Sequence, residues 1–135
     1  MYLLDTNTCI YFLKNSFPTL TQRLLNTDPS ELFVSSITVF ELAYGAEKSK
    51  WGEKTRQKLA MFLAPFTILP FDGEDAMVAG RIRGALEQRG IPIGPYDVQI
   101  AAQALAKGLT VLTHNLSEFQ RKRKINPCTA FDREK

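Results

Sequence analysis

Four oxygen-bearing side chains stand where predicted strands end or predicted helices begin. Asp5 directly follows the apolar run 2–4, and Asn115 lies just beyond another apolar run. Glu41 and Asp97 each fall in the first turn of a predicted helix. Carboxylate and amide oxygens are the ligands that Mg²⁺ and Mn²⁺ prefer in proteins. These residue types therefore suggest a divalent-metal site, provided that the fold brings them together.

Each of the four also has a purely structural explanation. Asp5 suits a helix N-cap, and Glu41 follows Thr38 by three residues, as in a capping box. Asp97 suits the positive end of a helix dipole, and Asn115 suits a turn. Taken singly, the structural explanation is preferred for every one of them, so the case for a site depends on their being close in the fold.

Asp97 shows one further oddity. Ile100, Ala101, Ala104 and Leu105 follow it at helical spacing, which predicts that Asp97 lies on the apolar face of its helix. An acid on that face is costly unless it is paired or bound to a metal ion.

The elements that must position these residues alternate along the chain. The predicted strands are residues 2–4, 31–36, 66–71 and 109–113, with a weak final strand at 128–131. Helical spacing extends as far as residue 14 and covers residues 18–25, 38–48, 51–62, 72–90 and 95–107. Continuous apolar strands that alternate with helices indicate a parallel sheet covered on both faces. All strands of such a sheet end at one edge, where ligands bind, so the three acids and the amide are predicted to converge there.

Convergence of carboxylates has a chemical consequence. Neighbouring carboxylates repel one another and tend to take up protons, unless a divalent cation sits between them. Such a cation can turn a bound water molecule into a nucleophile and can stabilise charge on a phosphoryl oxygen. The acids therefore point to metal-dependent chemistry on phosphate esters.

Length and composition narrow the class of protein. A chain of 135 residues fits one domain, residues 1–135, and the net charge of +3 is mild. The basic run 121–124 is either a solvated surface or a phosphate contact. No apolar stretch approaches the roughly 20 residues that span a bilayer, and no signal peptide is visible, so we expect a cytoplasmic protein. Cys9 and Cys128 are far apart, without zinc-binding spacing, and are expected to be reduced thiols.

Other acid-bearing folds fit the residues less well. A receiver-type domain would have an acidic pair after its first strand and an Asp after its third, but here the third strand ends at Pro70. A haloacid-dehalogenase-type phosphatase would have Asp-x-Asp where this chain has Asp5-Thr6-Asn7. The sequence contains neither a Walker A motif nor a G-x-G-x-x-G motif, so nucleotide binding has no support.

Four stretches together resemble the PIN domain and, within it, the VapC-type ribonuclease toxins of VapBC toxin–antitoxin pairs. They are LLDTNTCIYFLK, SSITVFELAYGAEKS, IPIGPYDVQIAAQA and VLTHNLSEFQR, and they are spread over most of the chain. The resemblance implies a three-layer α/β/α sandwich with a central parallel sheet of about five strands. It also implies Mg²⁺-dependent cleavage of RNA, with Mn²⁺ as a possible substitute.

The resemblance also assigns roles to residues. Asp5, Glu41 and Asp97 match the metal site, with Glu41 binding through water or orienting the attacking water. Asn115 stands where many PIN nucleases carry Asp, which favours one well-held ion over two. Glu118 would be a surface acid rather than a substitute ligand. Thr6 and Thr113 match positions whose side chains orient the acids. His114 is a substrate contact or turn residue rather than a general base. Tyr44 and Tyr96 are expected to pack in the core or at the rim rather than to stack on unpaired bases.

The partners follow from the same resemblance. They are a VapB-type antitoxin, an RNA substrate such as the anticodon loop of initiator tRNA, and a second copy of the chain in a homodimer. Two alternatives remain at this point, namely a catalytically silent PIN-like nucleic-acid-binding module and a PIN nuclease that processes rRNA or mRNA.

Overall fold

A computed structural model of the chain describes residues 1–91 and 93–113. Four strands lie in this part: β1 (Tyr2–Leu4), β2 (Leu32–Ser35), β3 (Thr67–Leu69) and β4 (Thr110–Leu112). Six α-helices accompany them, together with a single 3₁₀ turn at Pro29–Glu31: α1 (Thr6–Lys14), α2 (Pro18–Leu25), α3 (Ser36–Lys48), α4 (Gly52–Leu63), α5 (Gly73–Gln88) and α6 (Pro95–Lys107). None of the helices in the described ranges is long and apolar enough to cross a membrane.

The four strands form one parallel sheet in the order β3-β2-β1-β4. Leu4 is level with Val34 on one side and with Leu112 on the other. The chain therefore builds outward from β1 through β2 to β3, and then returns to place β4 on the opposite side of β1. The carboxyl ends of β1 and β4 mark the switch point, beyond which sheets of this kind bind ligands.

Alternate residues of the strands serve two different cores. Leu4, Val34 and Leu112 face a cluster built with the side chains of helices α1 to α4. Leu3 and Val111 face the other way and pack on α6 through Ile100. Helix α5 packs on α6 through a third cluster that includes Ile82 and Val98. The result is the predicted three-layer α/β/α sandwich, with α5 farthest from the sheet on the α6 side.

The structure corrects two details of the sequence prediction. The cap of α3 is Ser35, whose Oγ accepts from Ile37 N at 3.0 Å, so Glu41 lies in the second turn and the Thr38–Glu41 capping box is wrong. The described part of the chain contains four strands rather than about five, and the strand predicted at residues 128–131 lies outside it.

A cluster of charges ties α6 to the start of α5. Lys107 Nζ lies 2.8 Å from Asp72 Oδ2, 3.3 Å from Glu74 Oε1 and 3.0 Å from Asp75 Oδ1. Asp75 is fully buried and forms a capping box with Asp72. These carboxylates raise the pKa of Lys107, with Asp72 as the main cause. Lys107 is thus the cation that compensates a buried acid.

We predict that Lys107→Met lowers the melting temperature by several degrees, because it leaves Asp75 buried without its cation. The matched control is Arg83→Met, which removes an exposed pair with Glu87 on the same helix layer and should change the melting temperature little. Thermal unfolding followed by circular dichroism compares the two. Equal melting temperatures would contradict the role of Lys107.

Candidate active site

Asp5 lies at the switch point between β1 and β4. Its backbone N–H donates to Leu112 O at 3.3 Å, which continues the pairing of the two strands by one residue. The side chain is only 1% exposed, and its Oδ2 accepts a hydrogen bond from the Thr113 hydroxyl. Thr113 therefore orients one of the acids, as the sequence predicts, and that acid is Asp5.

The same side chain also caps helix α1. Asp5 Oδ1 accepts from Thr8 N at 2.8 Å, while the Thr8 hydroxyl donates to Leu112 O at 3.1 Å. Both carboxylate oxygens are thus held by the protein, and the structural explanation for Asp5 is correct. It does not exclude a role in a site, because a carboxylate oxygen has more than one lone pair.

Glu41 approaches from helix α3 and is fixed by the first residue of α1. The Thr6 hydroxyl donates to Glu41 Oε1, and Thr38 Oγ1 lies 3.1 Å from Thr6 Oγ1. Glu41 is half-buried, whereas Thr38 is fully buried. Thr6 therefore orients an acid, as predicted, and the acid that it contacts is Glu41.

Asp97 lies in the first turn of α6, whose N-cap is Gly94 and whose first residue is Pro95. Asp97 and Glu41 line one open cleft of about 600 Å³. Thr6 and Asn7, which directly follow the buried Asp5, line it as well. The cleft thus gathers side chains from α1, α3 and α6 at the carboxyl edge of the sheet.

The two acids of the cleft influence each other. Partial burial raises the pKa of Glu41, and the negative charge of Asp97 raises it further, while the hydrogen bond from Thr6 acts in the opposite direction. The ionised cleft therefore has an unfavourable concentration of negative charge. A cation would relieve this repulsion.

The donor set fits a hard divalent cation, because it consists of carboxylate and hydroxyl oxygens. Nevertheless, the described residues contain no group of three acids, histidines or cysteines close enough together to hold a metal ion directly. The acids alone do not form a closed cage. This arrangement suits Mg²⁺ better than a metal that needs a full set of protein ligands, because Mg²⁺ keeps several of its waters and binds one or two carboxylates.

Aromatic side chains form the rim of the cleft. Tyr96 and Phe40 meet edge to face, with ring centroids 5.8 Å apart, and both are exposed. Tyr44, also exposed, has the Lys48 ammonium 5.0 Å from its ring centroid. Core or rim packing was predicted for the two tyrosines, and the structure places both at the rim, where exposed rings are also available to stack on bases.

Sequence reasoning missed three residues that line the cleft, Asn7, Ile10 and Phe40. Asn7 stands two residues after Asp5, and Phe40 precedes Tyr44 by one helical turn, so their spacing contained a usable signal. Asn115, His114, Glu118 and the basic run 121–124 lie outside the described residues, and their predicted roles stay predictions.

Cys9 is close to the site but is unsuited to nucleophilic chemistry. It is fully buried and free, and burial raises the pKa of its thiol, with a further contribution from the charge of Asp5. A thiol that stays protonated is a poor nucleophile. Cys128 lies outside the described residues.

Two substitutions should move the pKa of Glu41 in opposite directions. Asp97→Asn removes a neighbouring negative charge and should lower it, whereas Thr6→Val removes a hydrogen bond to the ionised carboxylate and should raise it. Carbon-detected NMR titration of side-chain carboxyls in metal-free buffer measures both, with Asp28→Asn as the control. Shifts in the same direction, or none, would show that the three groups do not interact as described.

Comparison with known proteins assigns the chain to a family. The chain matches the PIN domain family over residues 2–125. The tRNA(fMet)-specific endonuclease VapC of Salmonella typhimurium is 42% identical over 120 residues, which are 89% of this chain and 90% of that relative. Ribonuclease VapC2 of Haemophilus influenzae is 41% identical with the same coverage.

Solved structures give the same result. DNA-bound VapBC from Salmonella typhimurium matches with a TM-score of 0.86 and 40% identity, covering 96% of this chain and 94% of that one. VapBC2 from Rickettsia felis, bound to a DNA fragment from its promoter, matches with a TM-score of 0.86, 34% identity and 96% coverage of each chain. With matches that span nearly its whole length, the chain belongs to the PIN-domain family and, within it, to the VapC group.

Proposed function

We propose that this protein is a divalent-metal-dependent endoribonuclease that acts as the toxin of a VapBC pair. The observation that carries the proposal is the shared cleft of Glu41 and Asp97, two acids that lie close enough for the charge of one to raise the pKa of the other. Asp5 supports it from the adjacent switch point. A fold that maintains such repulsion at its ligand-binding edge favours a cationic cofactor.

The names of the relatives supply the substrate class. They are called ribonuclease VapC or tRNA(fMet)-specific endonuclease VapC. We therefore propose RNA as the substrate, with initiator tRNA as the first molecule to test. The open cleft and its exposed aromatic rim suit an unpaired segment of RNA, because unstacked bases can stack on such rings.

Each acid would have a distinct role. Asp5, Glu41 and Asp97 would hold Mg²⁺ or Mn²⁺ directly or through water. The bound ion supplies an activated water and neutralises charge on the phosphate. Glu41, whose carboxylate is held by a single threonine hydroxyl and whose pKa is raised, is suited to orient the attacking water.

The threonines around the acids would act as positioning residues. Thr113 and the backbone of Thr8 fix both oxygens of Asp5, and Thr6 fixes one oxygen of Glu41. Preorganised acids lose little conformational entropy when they bind an ion. These threonines would therefore contribute to catalysis by holding the acids in place.

We predict that Asp5→Asn and Asp97→Asn each abolish most cleavage of RNA in Mg²⁺ while leaving the fold intact. Both changes remove a charge and keep the shape, and Asn is as good a helix cap as Asp at position 5. Asp28→Asn is the matched control, since Asp28 caps the 3₁₀ turn Pro29–Glu31 on the surface and does not line the cleft. Cleavage of a labelled RNA is followed on gels, and folding by thermal denaturation.

Cleavage by either variant at the parent rate would remove that acid from the site. Loss of activity in Asp28→Asn would show that loss of charge alone, rather than loss of a ligand, reduces cleavage.

Asn115 gives a separate prediction about the number of ions. With an amide at position 115, the site has one negative charge fewer than a site of four acids. We therefore expect a single well-occupied Mn²⁺ in the absence of RNA. Asn115→Asp should tighten a second Mn²⁺ site, measured by calorimetry. Two tight sites in the parent, or no change in the variant, would place Asn115 away from the metal edge.

The proposed partner is a VapB-type antitoxin, because the similar structures are VapBC complexes. A basic side chain of that partner would compete with metal and RNA for the acidic cleft. We further propose that the toxin forms a homodimer and works in the cytoplasm. Light scattering of the purified chain tests the dimer, and a monomer at all concentrations would contradict it.

A further inference from the structure

The start of helix α4 presents an exposed tryptophan. Trp51, the only tryptophan of the chain, occupies the N-cap position of α4 and is 64% exposed. N-cap positions normally hold Ser, Thr, Asp or Asn, and here the side chain makes no capping hydrogen bond. A large apolar ring in solvent at a position that usually has a polar residue needs an explanation other than helix stability.

The backbone of Trp51 is nevertheless well fixed. Its N–H donates to Ser49 Oγ at 3.1 Å, and its carbonyl accepts from the N–H and the hydroxyl of Thr55 at 2.9 and 3.0 Å. Ser49 Oγ and Thr55 Oγ1 are themselves 3.2 Å apart. The ring is therefore presented outward from a rigid base.

Lysines surround the ring on the same face of the helix. Lys54 and Lys58 follow Trp51 by three and seven residues, so all three side chains share one face. Lys50 Nζ lies 5.4 Å from the Trp51 ring centroid. Within the described residues, none of these lysines forms an ion pair with a carboxylate, although Lys54 and Lys58 repel each other one turn apart.

The neighbouring arginine shows the opposite behaviour. Arg56, on another face of α4, pairs with Glu47 at 3.2 Å and with Glu53 at 2.8 Å. The acids near this helix start thus neutralise Arg56 and leave the lysine face basic. An uncompensated basic face beside an exposed aromatic ring is the usual composition of a surface that binds single-stranded nucleic acid.

This surface is continuous with the acidic cleft. A hollow of about 450 Å³ is lined by Trp51, Lys54, Thr55 and Lys58. Thr55 and Lys58 also line a groove of about 440 Å³ between α1, α3 and α4, which Lys14 borders. Glu41 belongs both to that groove and to the acidic cleft. The cleft, the groove and the hollow therefore adjoin one another in a row from the acids to the tryptophan.

We propose that Lys14, Lys50, Trp51, Lys54 and Lys58 form a binding track for the single-stranded RNA that flanks the cleaved bond. A base would stack on Trp51, while Lys58 and Lys14 would contact the phosphates between that base and the cleft. The proposal rests on the proposed function, because it takes the acidic cleft as the site of cleavage. It adds where the substrate would lie and why that substrate would be unpaired RNA.

Charge favours RNA over a protein as the occupant of this track. The floor of the groove is apolar, with Leu13, Leu42 and Leu59, and would also accept a helix of the antitoxin. Lys14 and Lys58 also line the groove, and the Trp51 hollow beside it is lined by Lys54 and Lys58 with no acid among its described residues. A polyanion with stackable bases matches both features at once.

The fluorescence of Trp51 gives a direct test, because no other tryptophan contributes. The full-length protein is titrated in EDTA with an eight-nucleotide unstructured RNA, so that binding is measured without cleavage. We expect saturable quenching of Trp51 that weakens as salt is added. An RNA duplex of equal length should quench little, since its bases are not free to stack.

Three variants separate the contributions, with RNA binding followed by anisotropy of a labelled oligonucleotide. Trp51→Ala should weaken binding by about tenfold because no base can stack there. Lys58→Glu should weaken it and flatten the dependence of log affinity on log salt by about 0.7 for each phosphate that the variant no longer neutralises. Arg81→Glu makes the same change in charge on α5, in the layer on the other side of the sheet, and should bind as the parent does.

The outcomes distinguish this proposal from the proposed nuclease function. In EDTA, RNA should bind Asp97→Asn and quench its Trp51 as in the parent. In Mg²⁺ the same variant should fail to cleave. A protein without cleavage activity could therefore still confirm the track. Unchanged RNA affinity in Trp51→Ala and Lys58→Glu would overturn the track. Quenching of Trp51 by the purified antitoxin but not by RNA would also overturn it, and would assign this surface to the antitoxin.

Discussion

The site depends on the pairing of β1 with β4. Because Leu4 is level with Leu112 in a parallel register, the next residues of the two strands, Asp5 and Thr113, leave the sheet side by side. The hydrogen bond between them, and that from the Asp5 N–H to Leu112 O, join the ends of the two strands next to the buried side chains of Leu4 and Leu112. A slip of one residue would turn the apolar side chains of β1 to the opposite faces and would move Asp5 away from Thr113.

The acids are maintained at an electrostatic cost that the helices partly offset. Asp5 caps α1 and Asp97 lies in the first turn of α6, where the positive end of a helix dipole favours a carboxylate by about 0.3–1 kcal/mol. Glu41 lies deeper in its helix, and among the described residues the hydrogen bond that stabilises its charge comes from the Thr6 hydroxyl. Partial burial and the charge of Asp97 raise the pKa of Glu41, and a cation bound in the cleft would lower it.

Much of this arrangement could be read from the sequence, because it depends on local patterns. The helix boundaries at Pro18–Leu25 and Pro95–Lys107 were predicted without error, since Pro marks the start of each and Gly108 ends the second. The edge on which the acids meet followed from parallel strands. By contrast, the assignment of Glu41 to a capping box failed, because Ser35 competes for the same role one turn earlier. Nor does spacing reveal that both oxygens of Asp5 are held by the protein, since Thr113 is remote in sequence.

The central proposal is that Asp5, Glu41 and Asp97 would share one divalent cation, partly through water, since the described residues do not by themselves form a closed metal cage. Anomalous diffraction from crystals grown with Mn²⁺ tests it most directly, because it locates the ion without reference to activity. The account predicts one strong peak in the cleft, within direct or water-mediated reach of all three carboxylates. A peak elsewhere, or a cleft without manganese at saturating concentration, would contradict it.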